Sequence, residues 1–263
     1  MTTITSSGAV LQSITRVGRN EPFNLQVSRG QITGHSVINI FGYFTTPASA
    51  NTFRTVWELG STTAYAFPSS AVTMTITGTS GDTASILVSG LDANYNPISE
   101  IVVLNGGTGV TTSNKYFRIN NMSVAVSSAT NPASTVTCIN GGVTYAQINA
   151  GVGTTQMAVY TVPAGYTLYL DRFSAYSSSN GVVVGTGLQS NYLTYRAFTA
   201  LSSGVQRIVL QTPFTAFYSV ERVYPFAYQA GTDIQWQVAP STSSAQVAGI
   251  NIEGVLILND GTL

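Results

Sequence analysis

The side chains in this chain that could do chemistry are few, and the first is its only histidine. His35 lies in "GQITGHSVINIFGYF", directly before Ser36, a neighbour pair that invites comparison with a nucleophile and its base. Adjacent side chains in an extended strand point to opposite faces, so Ser36 is poorly placed to pass a proton to His35. No Gly-x-Ser-x-Gly elbow occurs elsewhere. His35 therefore reads as a turn residue bonding a backbone carbonyl at the entrance to a strand. Cys138 is the single cysteine, which excludes an internal disulfide. One Cys and one His cannot furnish a transition-metal site, and a lone thiol in a strand pattern reads as a small hydrophobe.

The carboxylates and glycine-rich pieces lead the same way. Asp82 in "SGDTAS" and Asp92 in "LDANYNP" stand where turns use an aspartate to hold backbone N–H groups, and no Asp-x-Asp-x-Asp-Gly calcium loop is present. The five glutamates, Glu21, Glu58, Glu100, Glu221 and Glu253, are scattered, whereas a glycosidase pair must face each other within about 5 to 10 Å. "NGGTGVTT" and "VVVGTGLQS" lack the Gly-Lys-Ser/Thr ending of a phosphate loop, and the second lacks the third glycine of a dinucleotide fingerprint. These residue types predict a protein that is not an enzyme, with no catalytic residue, no cofactor and no metal.

The elements that would position such residues are strands. In "AVTMTITGT", Val72, Met74 and Ile76 alternate with threonines, the period of a half-buried strand. "TASILVSGL" and "ISEIVVLNG", joined by the turn formers of "DANYNP", predict a hairpin. "KYFRI", "MSVAVSSA", "STVTCINGG", "VTYAQINA", "TQMAVYTVP", "QRIVLQTP", "TDIQWQVAP" and "AQVAGINIEGVLIL" continue the pattern, and "SNYLTYRAFTAL" carries too many β-branched and aromatic residues for a helix. Many short strands with turns between them predict an all-β fold of two β-sandwich (jelly-roll-like) domains. The expected layout is an extended N-terminal arm over 1–30, a first sandwich over 31–150 and a second over 151–263, with the boundary at Gly151-Val152-Gly153. Trp57 in "TVWEL" and Trp236 in "DIQWQV" are expected to be buried on alternating strands.

Composition bears on partners. Charged residues make up 8% of the 263 residues, against about a quarter in ordinary soluble domains, and the formal net charge is zero. Neither nucleic acid nor an anionic membrane is an expected partner, because both need clustered Lys and Arg, and Lys115 is the only lysine. No run of about eighteen apolar residues predicts a membrane span, and "MTTITSSGAVLQS" lacks the basic start and apolar block of a signal peptide. A surface so poor in charge favours a chain that hides it against neighbours. Candidate contact residues are Arg16, Arg19 and Arg29 of the arm, expected to order on a partner. The others are Phe214, Phe217, Tyr218, Arg222, Tyr224, Phe226 and Tyr228 in "FTAFYSVERVYPFAYQ", where aromatics and an arginine mix as they do at subunit interfaces.

"GQITGHSVINIFGYF" and "TVWELGSTTAYAF", read together, resemble the opening of a family of small tailed-phage virion proteins common in cyanobacterial and other environmental phages. "LDANYNPISEIVVLNG" and "MAVYTVPAGYTLYL" resemble later segments of that family, so the likeness runs from about Gly30 to about Leu170. The resemblance implies a structural component of a virion, made in the host cytoplasm, with Gly30, Gly34, His35 and Trp57 defining the fold. A capsid decoration (cement) protein, assembled as a homo-oligomer with a trimer as the first expectation and contacting other virion proteins, is the reading favoured. A neck, tail or fibre-base component is the alternative, and a carbohydrate-binding module using the aromatic stretch is a third.

Overall fold

The computed structural model describes residues 21–128, 130–178, 193–200, 206–243 and 245–259. The chain enters through a short helix, α1 (Phe23–Ser28), and continues through β1 (His35–Thr45), β2 (Arg54–Thr55), β3 (Val72–Thr77), β4 (Ser85–Leu91), β5 (Pro97–Val103), β6 (Val110–Tyr116), β7 (Arg118–Val124), β8 (Val136–Asn140) and β9 (Val143–Ile148). It returns through β10 (Val159–Thr161), β11 (Tyr166–Ser178), β12 (Leu193–Ala200), β13 (Gln206–Phe214), β14 (Phe217–Tyr228), β15 (Asp233–Pro240) and β16 (Val247–Leu258). The all-β reading holds. The "DANYNP" hairpin forms as β4 and β5, with Asp92 accepting the N–H groups of Asn94 and Asn96 at 2.8 and 2.9 Å.

Strand order reveals the architecture. One sheet runs β1-β16-β11-β14 and a second runs β10-β15-β12-β13, with β2 also on β15. Counting β2 and β10 as one strand position, eight strands in chain order occupy the places 1-8-3-6 and 2-7-4-5 of two facing sheets, the double Greek key of a jelly roll. The remaining sheets, β6-β3-β8-β9 and β5-β4-β7, form a separate sandwich. Each has its own core: Phe173, Tyr195, Trp236 and Ile250 in the jelly roll, and Trp57, Met74, Ile86, Tyr116 and Cys138 in the other.

The second sandwich is inserted into a single strand of the first. β2 pairs Arg54 with Val238 and Thr55 with Gln237, while β10 pairs Val159 with Gln235 and Thr161 with Asp233. Both run antiparallel to β15 and follow one another along it. They meet at Trp236, whose carbonyl accepts the Val56 N–H at 2.9 Å and whose N–H donates to the Ala158 carbonyl at 3.0 Å. The Ala158 N–H closes the join on the Val56 carbonyl at 2.7 Å. Residues 57–157 therefore leave and rejoin the jelly roll within one strand position. Val56 and Ala158 are in the jelly-roll core, and their neighbours Trp57 and Met157 are in the other.

This corrects the expected layout of 31–150 and 151–263. β1 belongs with β16 of the chain's last segment, through eleven consecutive pairs from His35 and Ile257 to Thr45 and Val247. Gly151-Val152-Gly153 is not a boundary but a turn before the return crossing. The 1–30 arm is also corrected in part, because residues 23–28 are helical and Phe23 packs edge-on against the His35 ring, with centroids 5.8 Å apart. Trp57 and Trp236 are both fully buried, but only Trp236 stands in a strand; Trp57 lies in the turn that follows β2, its indole N–H donating to the Thr63 carbonyl at 3.3 Å.

Candidate functional site

The two sandwiches meet at a junction built from groups that had no signature in the sequence. Arg118 at the start of β7 reaches across to Asp233 at the start of β15 in a two-pronged pair, Nε to Oδ1 at 2.8 Å and Nη2 to Oδ2 at 2.9 Å. Both side chains are 8% exposed. Further hydrogen bonds surround the pair. Arg118 Nη1 donates to the Pro68 and Phe117 carbonyls, Thr161 Oγ1 donates to Asp233 Oδ1 at 2.6 Å, and the Phe117 ring lies 4.0 Å from the guanidinium carbon. Beside it, the Asn120 amide donates to the Thr161 carbonyl at 3.0 Å and accepts the Thr161 N–H at 2.9 Å, so a side chain stands in for a neighbouring strand.

Glu58 occupies the other side of the junction. Its Oε1 accepts the Gln156 N–H, tying the outgoing chain to the returning one, while its Oε2 is buried without a partner. Burial pushes its carboxyl up to about 7, against the lowering effect of the Gln156 hydrogen bond. Close approach of the two crossings depends on Gly42 of β1, where a Cβ would sit 2.8 Å from the Ala158 nitrogen. The Tyr43 N–H donates to the Gln156 carbonyl there at 3.1 Å.

Between the sandwiches, alongside β1, runs a groove of about 710 Å³. Its lining includes Asn39 and Phe41 of β1, Leu91 and Ile98 of the β4–β5 hairpin, and Asn121 and Thr155. None of its lining residues among those described is charged. On the far side of the jelly roll the β13–β14 hairpin forms the open edges of both sheets. There Ile208, Phe217, Val223 and Tyr224 are exposed, the last two at 87% and 82%. The register explains why. Between the pairs Leu170–Phe226 and Arg172–Glu221, β11 spends one residue and β14 spends four, so Arg222 to Pro225 are extruded from the sheet edge. Arg222 steadies the extrusion, its Nε donating to the Tyr224 carbonyl at 3.2 Å and its guanidinium lying 3.9 Å over the Phe226 ring.

No protein-family profile and no curated protein matches the chain. Solved structures of infectious bursal disease virus align with it. The Gt strain structure gives a TM-score of 0.23 and 9% identity over 92% of this chain and 79% of that one. The Gx strain structure gives 0.24 and 11% over 87% and 72%.

The candidate residues read from the sequence divide accordingly. Arg16 and Arg19 lie outside the described residues. Arg29 pairs with Glu21 at 2.5 Å within its own chain. The aromatic stretch splits by strand alternation: Phe214 and Tyr228 are buried in the jelly-roll core, and Tyr218 and Phe226 pack against it. Phe214 and Tyr228 therefore serve the core, while Tyr218 and Phe226 are half-buried beside it. Phe217, Tyr224 and the partly exposed Arg222 remain at the surface. His35 Nδ1 is 3.1 Å from the Thr33 carbonyl, the turn contact anticipated for it. Asp82 accepts the N–H groups of Thr79 and Ala133 and the Ser134 hydroxyl, and these bonds, led by Ser134, hold its carboxyl below the usual range. Cys138 is buried, which pushes its thiol up to about 12 and leaves it protonated. Among the described residues no three His, Cys, Asp or Glu side chains gather where they could share a metal ion.

Proposed function

We propose that the protein is a structural subunit of a virus particle, which acts by tiling against copies of itself and against other virion proteins. The observation that carries this reading is the β13–β14 edge. It presents Phe217, Val223 and Tyr224 to solvent on a chain with too few charges to keep such a patch apart from others. Jelly rolls recur in viral shells, and they recur in lectins too, so the fold supports the reading without deciding it. The resemblance of "GQITGHSVINIFGYF" and the "DANYNP" hairpin to tailed-phage virion proteins favours a phage particle.

Within that reading the protein is a capsid decoration subunit, with a closed trimer as the simplest assembly for a patch that must meet its own kind. It has no catalytic role, since His35, Asp82, Asp92 and Cys138 are each engaged in turns or in the core. The number of copies per purified particle tests the assignment. A decoration subunit is present in hundreds of copies. A dozen or fewer would move the protein to the neck or tail, and its absence from particles would overturn the reading.

A further inference from the structure

β1 is an edge strand of its sheet, and the direction of its backbone groups follows from the ladder it makes with β16. The Leu258 N–H donates to the Gly34 carbonyl and the Thr46 N–H to the Gln246 carbonyl, so even-numbered residues of β1 bond β16. Odd-numbered residues turn their N–H and C=O the other way. Tyr43 finds the Gln156 carbonyl there, whereas Val37, Asn39 and Phe41 meet no backbone partner among the described residues. Edges of this kind are usually guarded by lysine, proline or a bulge. From Ser36 to Thr45 there is no charged residue and no proline, and the pairing with β16 has no shift.

Three successive residues that turn N–H and C=O groups outward, spaced as a strand spaces them, suit an extended peptide that adds to the sheet. Val37 and Phe41 expose apolar side chains along the same stretch, which a neighbouring strand would cover. The adjoining groove has the inserted sandwich on its other side, and its volume of about 710 Å³ falls in the range of about 300 to 1,000 Å³ that takes a small ligand. That space admits one extended segment and not the edge of a folded domain. A sugar suits it less well, because several of its side-chain groups are already engaged: Asn120 by Thr161, and Asn121 Oδ1 by the hydroxyls of Thr154 and Thr155.

We propose that this edge docks an extended, uncharged peptide segment of a partner protein, which adds to β1 as a fifth strand of the sheet β1-β16-β11-β14. Backbone complementarity at Val37, Asn39 and Phe41 supplies the hydrogen bonds, and the groove supplies the selection. A charged side chain entering it would lose water and find no opposite charge among the described lining residues. Apolar side chains of the segment find Ile38, Leu91, Ile98 and Met157, and small hydroxyl or amide side chains find Asn39 and Ser99. The preferred segment therefore alternates aliphatic residues with Ser, Thr or Asn, the period by which a strand divides its side chains between two faces. Such docking stands whether or not the protein belongs to a virion.

The test measures amide exchange on the full-length chain with a synthetic probe, an acetylated and amidated octapeptide in which valine alternates with serine and threonine. Exchange at Val37, Asn39 and Phe41 is expected to be fast in the protein alone and at least tenfold slower with the probe at millimolar concentration. The Ile38 and Ile40 amides, held by β16, should not change. The same peptide N-methylated at alternate residues, or with glutamate at its centre, should protect at least tenfold less. Asn39→Pro removes the central outward N–H without touching a β16 bond, so it should abolish protection at Val37 and Phe41 with the melting temperature kept. Equal exchange with and without the probe overturns the proposal, as does undiminished protection by the N-methylated peptide. Slow exchange in the dilute protein alone would mean an edge already covered, and protection that grows with protein concentration would mean a second copy; either overturns it. Protection by maltohexaose in place of the peptide would assign the groove to a glycan and overturn it too.

Discussion

The two open sides of the jelly roll end their sheets in opposite ways. On one side, β1 runs straight, with neither charge nor proline, and the inserted sandwich stands beside it as a buttress. On the other, β14 breaks its ladder at Arg222 to Pro225 and β13 carries Pro213. An edge that carries a proline and a bulge cannot extend its ladder there, so what it offers is side chains, and those are Phe217, Val223 and Tyr224. An edge without them offers backbone. The difference teaches that the two edges present different surfaces: a straight strand edge beside the inserted sandwich at β1, joined to it by the Tyr43–Gln156 bond, and a shaped apolar knob directed outward at β14.

The largest expected effect comes from breaking the buttress. Asp233→Ala would leave the Arg118 guanidinium buried without its carboxylate, and chemical denaturation should show a loss of about 3 to 5 kcal/mol. A loss below about 1 kcal/mol would mean that the two sandwiches do not depend on this pair.

Next comes the pH dependence of Glu58. Its folded-state carboxyl lies near 7 against an ordinary value of 4.5, so the folded protein holds a proton that the unfolded chain has released between those limits. The contribution is fully present below about pH 4.5 and is lost as pH rises through 7, a change of about 3 kcal/mol. Glu58→Gln keeps an acceptor for Gln156 and cannot ionise. It should match the wild type near pH 4.5, exceed its stability at pH 8, and flatten the stability curve between them.

A smaller loss, about 1 to 3 kcal/mol, is expected for Gly42→Ala, because the added Cβ meets the Ala158 backbone and must push the returning strand away from β1. Thermal melting measures it. Smallest is His35→Ala, with a change within about 0.5 kcal/mol, since its hydrogen bond to Thr33 is exposed. A larger effect in that melting curve would show that the head of β1 depends on the imidazole.

Sequence alone discloses what is local. The "DANYNP" turn, the alternation of "AVTMTITGT" and the burial of Trp236 all follow from neighbours along the chain. The inserted sandwich does not, because "TQMAVYTVP" reads as one uninterrupted strand although its side chains alternate between two cores, Met157 and Val159 in the inserted one and Ala158 and Tyr160 in the jelly roll. Gly151 and Gly153 advertised a boundary six residues too early, since a tight turn needs glycine and a crossing in mid-strand does not. The junction was equally hidden: Arg118 and Asp233 are 115 positions apart, and neither sits in a motif. The aromatic stretch was half legible, for period two foretells that its residues divide between two faces but not which face is the core.

Sedimentation velocity of the purified protein at micromolar concentration, beside Val223→Asp/Tyr224→Ser, tests the tiling role of the β14 edge most directly. The wild type is expected to sediment as a closed oligomer, a trimer at first expectation, and the variant as a monomer whose melting temperature is unchanged, because both side chains point into solvent. A wild type that sediments as a well-behaved monomer, or a variant that assembles as the wild type does, would contradict it.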